Sequence, residues 1–262
     1  MAVVWRAGNG GGTLSINRLP RRVGGVLLAI TLSLAMPLYA KPMLNLVTFL
    51  ERPLVDVELN KPEGLLVALI DTLMSRAEVD YTIRIVPAKR SLLIAKRGRN
   101  HCVFPIERSQ EREVFFKWVS PVLISRYGLY ARAGKQIVLT TLNEARPYVL
   151  GSYLGSGVGE YLASFGFNVH YAHRNELNAD MLMRNRIDFW VSDTISARFL
   201  AKERSQPLVD PAIVFYTSVR AMGCNLGVSD ELIEALQQAL LAMYRDKTVA
   251  RIYQRYDATL LK

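Results

Sequence analysis

An α/β protein of two lobes is the fold class the sequence predicts, on three observations. From residue 43 onward, short apolar strand-like runs alternate with segments of helical periodicity. These units fall into two βα blocks, each with enough apolar residues to build its own core. The chain has 262 residues, half of them hydrophobic and only 21% charged, so a sizeable interior can form without staples.

Met43 to Phe49 reads as the first strand and Glu51-Arg52-Pro53-Leu54 as a loop. Gly64 to Arg76 carries Leu66, Leu69, Ile70 and Leu73 at helical spacing. Tyr81 to Val86 alternates as a strand, Pro87 stops it, and Lys89 to Arg97 forms a short amphipathic helix ended by Gly98. Cys102 to Ile106 reads as a buried strand, and Val114 to Val119 as an apolar stretch closed by Ser120-Pro121. Strands follow at Tyr127–Ala131, Tyr148–Ser152, Asn168–Ala172 and Ile187–Val191, with a helix from the Gly155-Ser156-Gly157 loop to Gly166 and another at Asn175–Arg184. Asp193 is placed to cap a helix over Thr194–Lys202. Two short strands, Val214–Thr217 and Ala221–Leu226, precede a long helix capped by Ser229, with Leu232, Leu236, Leu240 and Met243 on one stripe.

The N-terminus reads as a secretory signal. Arg18, Arg21 and Arg22 precede an apolar run from Val23 to Met36, too short for a span of about 20 residues, and Pro37 to Ala40 offers a cleavage site. An uncleaved membrane anchor is the alternative. Residues 1–40 form the predicted leader, and the mature chain starts near Lys41. The formal charge of +10 includes four arginines in that leader, which leaves 29 basic and 23 acidic residues beyond it. That excess is spread out and accompanies no reading motif, so nucleic acid is not an expected partner. In an oxidising compartment, Cys102 and Cys224 are a possible disulfide; two buried thiols are the other possibility.

Few residues suggest chemistry. Arg112 follows a core strand, where its guanidinium fork can grip a carboxylate or simply pair on the surface with Glu107 or Glu113. Asp193 either caps its helix or faces a ligand cation. The Gly155-Ser156-Gly157 loop offers backbone N–H groups to an anion at a helix start but lacks the lysine of a phosphate cradle. His101, His170 and His173 show no metal spacing, and no nucleophile elbow is present. No cofactor or metal is expected.

The order of elements over residues 43–256 resembles the periplasmic solute-binding proteins of the polar amino-acid type, the receptors of ABC importers. Their threonine-x-x-arginine segment is similar to "SQEREVFFKWVSP", and "GLLVALIDTL", "LGSYLGSGVGEYL" and "RIDFWVSDTISARFL" match further segments. The resemblance implies a type 2 clamp with two hinge crossings, near Ala131 and Met222. Lobe 1 would be 41–131 plus 224–262, and lobe 2 would be 132–223. It implies that Arg112 binds a ligand carboxylate and Asp193 its ammonium, with Ser156 and Gly157 touching the ligand backbone. Phe49, Phe104 and Tyr153 are candidate walls, with core packing as the alternative. It further implies a monomer, a small-molecule ligand that is amino-acid-like or carboxylate-bearing, and an inner-membrane ABC permease as partner. Ala68 stands where relatives carry an aspartate, and Phe104, Pro105 and Glu107 stand where they present hydroxyls, so a standard polar amino acid does not fit well. An enzyme on the same scaffold, resembling cyclohexadienyl dehydratase with Glu51 or Glu107 as its acid, is the rival. A sensing partner of a membrane receptor is another.

Overall fold

The computed structural model describes residues 43–135, 137–205 and 210–256; the expected leader and its cleavage point at Ala40 lie outside them. Apolar alternation makes β1 (Met43–Thr48) a central strand, with Leu44 and Leu46 turned to one core and Val47 to another. It pairs in parallel with β4 (Asp80–Ile85) and β5 (His101–Glu107). Between these strands come a small ribbon of β2 (Asp56–Glu58) and β3 (Lys61–Glu63), then α1 (Leu65–Arg76) and α2 (Ala88–Arg97). In α1 the predicted stripe of Leu66, Leu69, Ile70 and Leu73 is fully buried. A one-turn helix, α3 (Gln110–Glu113), leads from β5 into β6 (Lys117–Tyr130).

The second block supplies β7 (Leu150–Tyr153), α4 (Gly157–Ser164), β8 (Val169–Ala172), α5 (Asn175–Met183), β9 (Phe189–Asp193) and α6 (Thr194–Glu203). The chain then returns along β10 (Ile213–Cys224) and ends in α7 (Asp230–Arg245) and α8 (Thr248–Arg255). The Ser229 hydroxyl caps α7 by accepting from Leu232 N–H at 3.2 Å, and Leu236, Leu240 and Met243 are buried as the periodicity required.

The architecture is a two-lobed α/β clamp, with one correction to its interior. The sheets of the two halves are not separate: the strands form one hydrogen-bonded series, β4-β1-β5-β10-β6-β9-β7-β8. The join is made by β6 and β10, which pair antiparallel from Ile213 against Leu129 to Cys224 against Lys117. Sequence reasoning split each of these long strands in two. Pro121 does not end β6, because the register shifts between Arg220 and Met222 of β10, opposite that proline; a missing N–H costs nothing in such an irregularity. Gln237 of α7 meanwhile bonds both the N–H and the carbonyl of Ser120, at 2.9 and 2.8 Å. In β10, Ser218 and Arg220 interrupt the apolar pattern although both are buried.

Core membership changes along these two strands. Val119, Val122 and Leu123 of β6 and Met222 and Cys224 of β10 pack with α1, α7 and α8, whereas Tyr127 and Leu129 pack with Leu150, Val158, Leu162 and Phe189. Cys102 and Cys224 face each other across β5 and β10 and are bonded, which decides between the two possibilities left by the sequence. Among the described residues, no helix is long and apolar enough to cross a membrane, and no group of histidine, cysteine, aspartate and glutamate side chains could hold a metal ion.

Candidate functional site

Burying a charge is expensive unless it is paired and hydrogen-bonded. Among the described residues only five charged side chains are buried: Glu51, Glu107, Arg112, Asp193 and Arg220. They form one cluster between the halves of the molecule, and such a concentration marks a functional site more readily than a structural one.

Glu51, Glu107 and Asp193 stand at or just past the ends of β1, β5 and β9, whereas Arg112 lies in α3 and Arg220 within β10. Glu51 lies just beyond β1 in a turn closed by backbone bonds between Glu51 and Val55. Arg220 of β10 grips both of its oxygens, at 3.1 and 2.5 Å, and also donates to the Tyr127 hydroxyl (2.9 Å) and the Pro105 carbonyl (3.2 Å). Tyr127 passes the network on by donating to Glu107 Oε1 at 2.9 Å. Glu107 Oε2 accepts from Arg112 at 3.1 Å and from the N–H of Gly157 at 3.2 Å. Arg112 completes its fork across the cleft, donating to the Gly155 carbonyl at 3.1 Å and to Glu160 of α4 at 3.0 Å.

Two glycines make the approach of the halves possible. Gly155 has φ of +93°, and a Cβ there would lie 2.7 Å from the backbone nitrogen of Lys89 at the start of α2. A Cβ on Gly157 would lie 3.0 Å from Glu107 and 3.2 Å from Arg112.

Arg112 is thus buried at the cleft, and the acids it holds in this structure are the protein's own Glu107 and Glu160. Glu113, a suggested partner, pairs instead with Arg108 at 2.6 Å. The N–H of Gly157 likewise meets Glu107, and Ser156 serves as the cap of α4 by accepting from Gly159 N–H at 3.1 Å. Asp193 caps α6 with Oδ1, which accepts from Ile195 and Ser196 N–H at 3.0 and 2.9 Å. Its Oδ2 is buried and has no hydrogen-bond partner among the described residues. The structure does not join Asp193 to Arg112; Tyr127, whose hydroxyl bonds Glu107, stands opposite Asp193 in the sheet.

The aromatic candidates divide. Phe49 and Tyr153 meet with ring centroids 6.1 Å apart and line a cavity of about 390 Å³, together with Leu50, Ile85, Val86, Pro87, Ala88, His173 and Arg174. Phe104 packs in the core with Leu44, Leu66 and Met222 and is not a wall of this cavity. The pleat explains the difference, since Val103 and Phe104 point to opposite faces of β5. Sequence reasoning missed Arg220 and Tyr127 altogether and met Glu51 only as a possible acid. The one available signal was an arginine inside the strand-like run "FYTSVRAMGC".

The electrostatics follow from this packing. Burial pushes the Glu51 carboxyl up to about 7; Arg220 pulls it down, while Asp193 and Glu107 push it up further. Burial also disfavours the ionised form of Glu107, but Arg220 and Arg112 outweigh it and hold that carboxyl below its usual range. The Glu51 proton therefore stabilises the folded state below about pH 4.5, and this contribution is lost as pH rises through 7. A rise from 4.5 to about 7, at about 1.4 kcal/mol per pH unit, is worth about 3 kcal/mol. Denaturation at pH 5 and pH 8 should show wild type losing stability over that interval and Glu51→Gln losing much less; parallel slopes would place the titration elsewhere.

No protein-family model matches the chain, and no curated protein does. Solved structures do match it. A histidine kinase sensor domain with similarity to periplasmic binding proteins aligns with a TM-score of 0.76 at 16% identity, over 83% of this chain and 97% of that one. The substrate-binding protein of an amino-acid ABC transporter aligns at 0.69 and 15%, over 82% and 99%. An ancestral amino-acid-binding protein, a precursor of cyclohexadienyl dehydratase, aligns at 0.70 and 15%, over 82% and 95%. At these identities the likeness establishes the fold, a two-lobed clamp of the periplasmic-binding-protein type.

Proposed function

We propose that the chain is an extracytoplasmic solute-binding protein that closes its lobes around a small amino-acid-like or carboxylate-bearing ligand and presents it to a membrane partner. The observation that carries this reading is the contact of Arg112 on one side of the cleft with Gly155 and Glu160 on the other. Closure assembles this contact and buries the Phe49–Tyr153 cavity beside it. The change of core membership between Leu123 and Tyr127 in β6 and between Tyr216 and Met222 in β10 supports a division of the lobes there. Such a division lies a few residues from the boundaries expected at 131 and 224, with β6 and β10 as the hinge. The amino acids named for the structural neighbours suggest the ligand class, the leader suggests export, and an ABC permease is the partner that fits a monomeric carrier. A thermal-shift screen against amino acids, amines, polyamines and small organic acids tests the reading. A ligand at about 100 times its Kd should stabilise the protein by about 2.7 kcal/mol; no response to any of these classes would remove the assignment.

An enzymatic reading is favoured by one feature, the Glu51 carboxyl at about 7 beside an apolar cavity. Such a group suits a general acid. Glu107 does not, because Arg220 and Arg112 hold its carboxyl below the usual range against the opposing effect of burial. Incubation with prephenate or arogenate decides the matter: formation of aromatic product would establish the enzyme, and none is expected.

A further inference from the structure

The two groups expected to meet a ligand carboxylate are occupied by the protein itself. Each terminal nitrogen of Arg112 donates twice, one to the carbonyl and carboxylate of Glu107 and the other to Gly155 and Glu160. The N–H of Gly157 is also taken by Glu107. Beside this closed contact lies the cavity of about 390 Å³, and its wall offers something different. The lining holds one charged side chain, Arg174, and no carboxylate; neither Glu51, Glu107 nor Asp193 is part of it. Arg174 immediately precedes α5 but does not cap it. It is exposed, and its guanidinium has no hydrogen-bond or ion-pair partner among the described residues. An amino acid held in this cavity would find a partner for its carboxylate but no counter-charge for its ammonium, and burying an unpaired charge is costly. An amine would meet a cation of its own sign. A carboxylate carried on an apolar body matches both the wall and its arginine.

We infer that the Phe49–Tyr153 cavity takes a small monocarboxylate with an apolar body and no ammonium group, its carboxylate on Arg174 and its body against Phe49, Ile85, Val86 and Tyr153. This deepens the solute-binding reading and rests on it. A guanidinium can grip a carboxylate with two parallel charge-assisted bonds, and the ring of His173, the neighbouring lining residue, offers a further N–H. The apolar body gains from leaving water for the apolar wall. Phe49, Ile85 and Val86 belong to the first α/β block, Tyr153 and Arg174 to the second. A ligand that touches both sides favours the closed form over the open one, which is the differential affinity that closure requires. The anchor is then Arg174 and not Arg112, whose part is to hold the two halves together through Gly155 and Glu160.

Calorimetric titration of the purified protein with two matched sets tests the proposal: isocaproate against leucine and isoamylamine, and hydrocinnamate against phenylalanine and phenethylamine. Within each set the apolar body is shared, and only the charged groups differ. At least one of the two acids is expected to bind about tenfold or more tightly than both its amino acid and its amine. Arg174→Gln should weaken that acid about tenfold or more and leave thermal melting unchanged, because the side chain makes no polar contact that folding would lose. If neither acid reaches the tenfold margin, or if the better acid keeps its affinity in Arg174→Gln, the monocarboxylate is overturned while the clamp stands. If none of the six binds but another metabolite does in the wider screen, the monocarboxylate likewise falls alone; silence in both removes the clamp reading as well. The comparison within each set needs only the wild-type protein, so it decides the matter even if the variant fails to fold.

Discussion

Arg220→Ala should destabilise the protein by about 3–5 kcal/mol in chemical denaturation at neutral pH. The side chain is completely buried and makes four hydrogen bonds, two of them to Glu51. Its removal leaves Glu51 in the interior without a counter-ion and Tyr127 without a donor. Glu51 can escape part of the cost by taking up a proton, since its carboxyl is already held near neutrality, so the lower end of the range applies below about pH 6. The informative control replaces both partners with apolar side chains of similar volume, Glu51→Leu with Arg220→Met. Buried ion pairs exchanged in this way are often neutral or stabilising. We therefore expect the double variant to melt near or above wild type and to lose ligand binding, because the field that shapes the cleft is gone. A loss below about 1 kcal/mol for Arg220→Ala would mean that water reaches the pair and that the cleft is far more open than the structure shows.

Removing the Cys102–Cys224 bond should cost about 2–5 kcal/mol. The bond joins β5 to β10 and encloses 122 residues of sequence, including the whole of the second α/β block. A loop of that length loses much freedom in the unfolded chain when it is closed. Denaturation of the double Cys102→Ala, Cys224→Ala variant against oxidised wild type measures the effect. Two titratable thiols in unreduced, denatured protein would show that the bond does not form.

Most of the fold was legible because its signals are local. The α1 stripe, the α6 and α7 caps at Asp193 and Ser229, and the strands ending at Ile85 and Ala172 all follow from residues within a few positions of one another. The long strands were harder. Reading β10 as two short pieces was reasonable for a run containing Ser218 and Arg220, because what makes those residues acceptable in an interior is Glu51, 169 positions away from Arg220. The site was legible only in part for the same reason. Arg112 follows β5 in a one-turn helix and Asp193 ends β9, places where sequence reasoning looks for ligand contacts. Nothing near Arg112 indicates that its fork closes on Glu160, 48 residues later. Phe104 was left open between wall and core because the phase of β5 cannot be read when every residue from Cys102 to Glu107 is buried; alternation is visible only where one face meets water.

The threading of β6 and β10 through both halves also bears on how the molecule comes apart. Each half borrows the same pair of strands for its sheet, so neither could be excised as a self-sufficient fragment without a torn edge of unpaired N–H and carbonyl groups. Heat or denaturant should find no boundary at which to separate one half from the other. Whatever movement its jaws allow, the molecule is along its spine a single cooperative object.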